Sequence, residues 1–120
     1  MPMILRRSDQ KPSAGGTVLF EGGEHGAPIS LFLLDTAKGE GPGLHRHPYP
    51  EVWVIHSGQA LFTIDKEDVL AGPGDVVLVE AGIWHGFKSA GERRLHATCI
   101  HANGTVEQVF KSEASDPSAT

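Results

Sequence analysis

Glycine and proline constrain this chain before any other feature does. Fifteen glycines and eight prolines divide its apolar residues into short runs, such as Leu31-Phe32-Leu33-Leu34 and Val76-Val77-Leu78-Val79. Short apolar runs between turn signals read as strands, whereas a helical bundle needs longer stretches with a 3.6-residue period. A hydrophobic content of 39% also argues against a disordered chain. At 120 residues the length suits one domain with one core. The expected class is therefore all-β, a barrel or a sandwich.

No apolar stretch is long enough to cross a bilayer as a helix. The opening Met1-Pro2-Met3-Ile4-Leu5-Arg6-Arg7 lacks the apolar segment and cleavage site of a secretory signal, so a cytoplasmic location is expected. Ten Lys and Arg against fifteen Asp and Glu give a net charge of −5, the wrong sign for nucleic acid or an anionic membrane as partner. The pairs Arg6-Arg7 and Arg93-Arg94 are isolated and read as solvated strand edges. Cys99 is the single cysteine, which excludes an intrachain disulfide and a Cys-rich zinc site. It reads as a small buried apolar residue. Histidine is the exception in this composition: seven of 120 residues, about two to three times ordinary usage. Metal or proton chemistry is the first explanation to test.

Residues 1–14 mix charge, proline and serine and read as an N-terminal arm, a candidate exchanged edge strand. Strands are expected at 17–20, 28–36, 44–47, 51–57, 59–65, 68–70, 75–80, 83–88 and 93–101. Most are separated by Gly or Pro, and one pair by Asp65-Lys66-Glu67. Segment 28–36 is apolar at both sets of alternating positions, which predicts burial on both faces. Thr105 to Phe110 suits a last strand or a helical turn equally, and the barrel is expected to occupy residues 15–110. Residues 111–120 have almost no apolar content and are expected to form a disordered tail.

The chemistry concentrates in two segments. In Leu44-His45-Arg46-His47, residues two apart on a strand point to the same face, so both imidazoles can reach one ion. Pro48-Tyr49-Pro50 turns the chain, and Glu51 opens the next strand with a carboxylate able to return to that side. His85 lies in a third segment, Ile83-Trp84-His85-Gly86-Phe87. Three imidazoles and one carboxylate suit a first-row transition metal. On an octahedral ion they leave two positions for water, dioxygen or a chelating substrate.

These residues sit in a longer frame: Gly39, five residues, His45-Arg46-His47, three residues, Glu51, six residues, Gly58. At this composition a lone His-x-His is expected about 0.4 times by chance, and the full frame about 5 × 10⁻⁴ times. The frame resembles the first motif of the cupin superfamily. Gly74, Gly82 and His85 are similar to the glycines and last ligand of the second motif. Glu80 stands where the family usually has proline, and Ser89 where it often has asparagine. The resemblance covers residues 28–101 and is that of the small single-domain microbial cupins. It implies a double-stranded β-helix, a small jelly-roll barrel. Inside it, His45, His47, Glu51 and His85 would hold one divalent transition metal ion (Mn, Fe, Ni, Cu or Zn). It also implies a homodimer formed through the sheets with N-terminal strand exchange, for which Met3-Ile4-Leu5 is the candidate donor.

Strand alternation adds candidate pocket residues. Trp53 and Ile55 share a face with Glu51, and Phe87 shares one with His85; core filling is the competing role for each. After Arg94, one face holds Leu95, Ala97, Cys99 and His101, the other His96, Thr98 and Ile100. If the second faces inward, His96 and Thr98 become proton-transfer candidates beside the ion. His56 reads as a surface or interface residue, and His25 has no assigned role. Cupin barrels host many reactions, so the fold alone does not name one. The expectation is a metal-dependent enzyme of dioxygenase, isomerase or lyase type acting on a small organic molecule. The alternative is a non-catalytic, metal-dependent module that binds or senses a small molecule. A metal-free structural or storage role is the third reading.

Overall fold

The structure is a computed structural model of the chain, and it describes residues 2–113. Among the described residues there are ten strands and almost no helix. They are β1 (Val18–Glu21), β2 (Ser30–Thr36), β3 (His45–Arg46), β4 (Glu51–Ser57) and β5 (Ala60–Ile64). They continue as β6 (Glu67–Ala71), β7 (Val76–Val79), β8 (His85–Ser89), β9 (Leu95–His101) and β10 (Val109–Phe110). Short 3-10 turns occupy Arg7–Asp9, Gly22–His25 and Lys111–Glu113; residues 114–120 of the expected tail lie outside the described residues. The strands form two antiparallel five-stranded sheets, ordered β1-β2-β9-β4-β7 and β10-β3-β8-β5-β6. This is an all-β barrel of jelly-roll type.

Turn chemistry punctuates the strands. The four glycines of the sequence frame, Gly39, Gly58, Gly74 and Gly82, all have positive φ, between 79° and 89°, a region that L side chains enter at a cost. At Gly58 a second constraint applies: an added Cβ would lie 2.5 Å from the Arg94 carbonyl oxygen. The β5–β6 hairpin reverses through Asp65 and Lys66, at φ 46° and 71°, the two-residue turn whose twist matches paired strands.

Alternation along three strands divides the interior into two ends. β4 sends Glu51, Trp53 and Ile55 inward, β8 sends His85, Phe87 and Ser89, and β9 sends Leu95, Ala97, Cys99 and His101; all of these are buried. The polar members Glu51, His85 and His101 gather at one end, because Glu51 pairs with His101 in register and His85 pairs with His45. The other end is packed solid. There Trp53 and Phe62 meet edge-to-face with centroids 5.0 Å apart, and Phe62 meets Phe87 at 5.6 Å. Aromatic contact of this kind adds to burial energy.

Two expectations change here. β2 is not fully buried on both faces: Leu33, on the outer side of the first sheet, is 37% exposed. The segment 105–110 resolves into a loop and a two-residue strand, β10, that pairs with β3.

Because Gly58 combines left-handed backbone with a close carbonyl, Gly58→Ala is expected to destabilise more than Gly82→Ala, where added Cβ meets open space. The conformational part alone is about 1–2 kcal/mol for each. Urea unfolding of the two variants measures the order, and equal losses would contradict it.

Candidate metal centre

Four buried donors converge at the polar end. His45 comes from β3, His47 from just beyond it, Glu51 from the start of β4 and His85 from the start of β8. Their exposures are 4%, 2%, 3% and 1%. Their ligand atoms all lie within 4.8 Å of one another, close enough to share one ion.

The orientation of each imidazole follows from the backbone around it. His45 Nδ1 donates to the Gly43 carbonyl at 2.8 Å, His47 Nδ1 to Glu107 at 2.9 Å, and His85 Nδ1 to Ile83 at 2.8 Å. A carbonyl oxygen only accepts, so in each ring Nδ1 carries the hydrogen and Nε2 keeps its lone pair. Two of those lone pairs face the carboxylate. His47 Nε2 lies 2.6 Å and His85 Nε2 3.0 Å from Glu51 Oε1, and His47 Nε2 has no hydrogen-bond partner. Two acceptors this close repel unless a cation lies near both, and a metal ion would satisfy the unpartnered, buried His47 Nε2. The donor set of three nitrogens and one oxygen fits a divalent transition metal.

The site's electrostatics point the same way. Burial lowers the His45 pKa to about 4, with His85 and His47 adding to the effect against the Gly43 hydrogen bond. The ring is therefore neutral and available as a ligand near pH 7. Burial opposes ionisation of Glu51, but the His101 imidazole, donating to its other oxygen, outweighs it and holds the carboxyl well below its usual range.

The sequence reading missed His101. Its Nε2 lies 3.2 Å from Glu51 Oε2, and its Nδ1 lies 2.7 Å from the Tyr49 hydroxyl. The Glu107 amide donates to that hydroxyl oxygen at 3.1 Å, which leaves the phenolic hydrogen for His101 Nδ1. His101 Nε2 then bears the hydrogen and donates to Glu51. The Cys99 thiol also donates to Glu51 Oε2, so Cys99 is buried as expected but is more than filler. Burial, with the adjacent carboxylate, raises its pKa well above the usual value. One carboxylate oxygen thus faces two hydrogen-bond donors, and the other faces the imidazole lone pairs.

The strand that carries His101 corrects two candidates. β9 turns its Leu95, Ala97, Cys99 and His101 face inward, so His96 and Thr98 point away from the barrel. His96 is exposed, 3.7 Å from Asp35, and Thr98 bonds His56 on the outer face at 2.8 Å. The apolar composition of the inward face was the available signal: three apolar residues at period two carry His101 inside with them. Phe87 lines the cavity above the site. Trp53 and Ile55 are not among the cavity-lining residues; with Phe87 they belong to the hydrophobic core, where the Trp53 ring lies 5.5 Å from that of His85, centroid to centroid.

A protein-family model described as the cupin domain matches residues 32–101, more than half of the chain. The chain is a cupin. Two acireductone dioxygenases from Rhodopseudomonas palustris, strains TIE-1 and CGA009, are each 35% identical over 57 residues, or 44% of this cupin and 34% of the relative's length. Solved structures with the same fold include oxalate decarboxylase from Lactobacillus farciminis in complex with formate (TM-score 0.75, 20% identity, 86% of this chain and 34% of that one). A mutant of oxalate decarboxylase from Bacillus subtilis gives TM-score 0.78 at 22% identity, over 95% of this chain and 34% of that one. The cupin thus spans about a third of the length of these relatives.

Protons compete for His45 with a definite sign. The unfolded chain, with an ordinary His pKa of 6.5, takes up the proton before the folded state does, whose value is about 4. Stability of metal-free protein is therefore expected to fall as pH drops from about 6.5 towards 4. His45→Gln should flatten this slope in urea unfolding midpoints, and an unchanged slope would contradict the assignment.

Proposed function

We propose that this cupin is a metal-dependent enzyme acting on a small organic molecule held in the barrel. His45, His47 and His85, through Nε2, and Glu51, through Oε1, would hold one divalent ion, Mn, Fe, Ni, Cu or Zn. The observation that carries the reading is the gathering of three backbone-oriented imidazoles and one buried carboxylate within 4.8 Å, with two Nε2 atoms directly against Glu51 Oε1. Such an ion, when bound, acts as a Lewis acid towards a chelating substrate or as a centre for dioxygen chemistry, which covers dioxygenase, isomerase and lyase reactions. The chain's own residues prepare that chemistry. Gly43, Ile83 and Glu107 carbonyls fix the rings, and His101 and Cys99 orient Glu51. The kinship with acireductone dioxygenases and the shared fold with oxalate decarboxylases support an enzyme.

A non-catalytic binding or sensing module is the second reading, and one observation favours it. His101, the one imidazole lining the cavity outside the proposed ligand set, is already committed to Tyr49 and Glu51, which leaves no free imidazole there for proton transfer. Metal analysis and turnover assays separate the readings. About one metal ion per chain is expected in purified protein, lost in His47→Ala, with turnover of a chelating substrate. Metal-dependent thermal stabilisation by a ligand recovered unchanged would favour binding, and metal-free wild-type protein that takes up no ion would contradict both.

A homodimer, in a cytoplasmic setting, is part of the same proposal. Two cross-strand rows run over the outer face of the first sheet: Val18-Leu33-Thr98-Val54-Val76 and Phe20-Leu31-Ile100-Val52-Leu78. Nine of these ten positions are apolar, and Val76 and Leu78 are 65% and 59% exposed. Such a face is suited to a second copy of itself. Light scattering is expected to give a dimer mass for the wild type and a monomer mass for the double variant Leu33→Lys, Leu78→Lys; a monomeric wild type would contradict it.

A further inference from the structure

The cavity over the metal centre has a volume of about 620 Å³, the size of a pocket that takes a molecule of drug-like bulk. Its wall is largely apolar, with Phe32, Leu34, Phe87 and Phe110 above the donors. Two of these rings stand against the site itself: Phe110 lies 5.1 Å from His45 and Phe32 5.2 Å from His101, centroid to centroid. The charges of the wall are mismatched to a small dianion. Three carboxylates line it, Asp35, Glu40 and Glu51, against one guanidinium, Arg94. That guanidinium is already engaged, with Nε 2.6 Å from Asp35 Oδ1 and a terminal nitrogen 2.9 Å from the Gly15 carbonyl. Arg46, the cation next in sequence to the proposed ligands, stacks outside on Trp84 with its Cζ 4.4 Å from the ring centroid.

We infer that the substrate of the proposed metal centre is a chelator with one oxygen-bearing head and a compact aromatic or branched apolar body. The four apolar wall residues form the subsite for that body. The inference rests on the metal reading above. A short dicarboxylate would use only the metal end and leave the apolar wall wet, and Arg94, the guanidinium of that wall, is already paired with Asp35. A catechol-like head with an apolar substituent would match the ion and the wall together. Specificity then lies in Phe32, Leu34, Phe87 and Phe110 rather than in the ligand set.

Calorimetry on zinc-loaded protein, with zinc stoichiometry measured on the same sample, tests this with three probes: 4-tert-butylcatechol, catechol and oxalate. Zinc avoids oxidation of the probes. The tert-butyl compound is expected to bind at least about tenfold tighter than catechol, as burial of its extra carbons requires, and oxalate is expected to bind weakest. Phe110→Ala, on the short edge strand, should bring the two catechols closer together without changing zinc content. Leu34→Lys should favour oxalate. Zinc bound at one per chain with oxalate as the tightest probe, or with the two catechols equal, would overturn the subsite and leave the metal reading intact. A chain that holds no zinc would overturn both.

Discussion

Glu51 carries its carboxylate into a space walled by imidazoles, and an isolated charge cannot be buried there without compensation. The structure supplies part of it. His101 and Cys99 donate to one oxygen, and Tyr49 with the Glu107 amide sets the tautomer that lets His101 donate. The other oxygen faces Nε2 atoms that have no hydrogen to give. A divalent cation would complete the balance, satisfy the unpartnered His47 Nε2 and join residues from three strands. The surrounding carbonyls, the register of β4 with β9 and the pairing of β3 with β8 all serve that arrangement.

The rest of the fold follows from holding these donors at one end of a closed barrel. Trp53, Phe62 and Phe87 fill the opposite end, so the strands that deliver Glu51 and His85 are anchored a few residues further on by aromatic packing. The glycines that bracket the ligand segments occupy left-handed backbone, which lets the chain reverse beside the site without strain. The outer surface of the first sheet, by contrast, carries exposed apolar side chains, among them Leu33, Val76 and Leu78.

The ligand segments were legible because their information is local. His45, His47 and Glu51 stand within seven positions, and the glycines that frame them mark turns that a sequence shows directly. His101 was not legible in the same way. Its place beside Glu51 depends on a strand register fifty residues away, and its H-bond to Tyr49 spans a comparable gap. The split of β9 into inward and outward faces was posed by alternation but decided only by tertiary packing, which sent His96 and Thr98 outside. β2 misled for a related reason: apolar residues on both faces read like double burial, although Leu33 on the outer face is exposed.

The most direct test of the metal centre is X-ray absorption at the metal edge of protein loaded with a single ion. Multiple scattering from three imidazole rings is expected, together with nitrogen and oxygen neighbours at about 2.0–2.2 Å for zinc and no sulfur. A sulfur neighbour at about 2.3 Å would bring Cys99 into the coordination sphere, and a spectrum without imidazole scattering would remove the histidines from it. Either result would contradict the assignment of His45, His47, Glu51 and His85 as the metal-binding set.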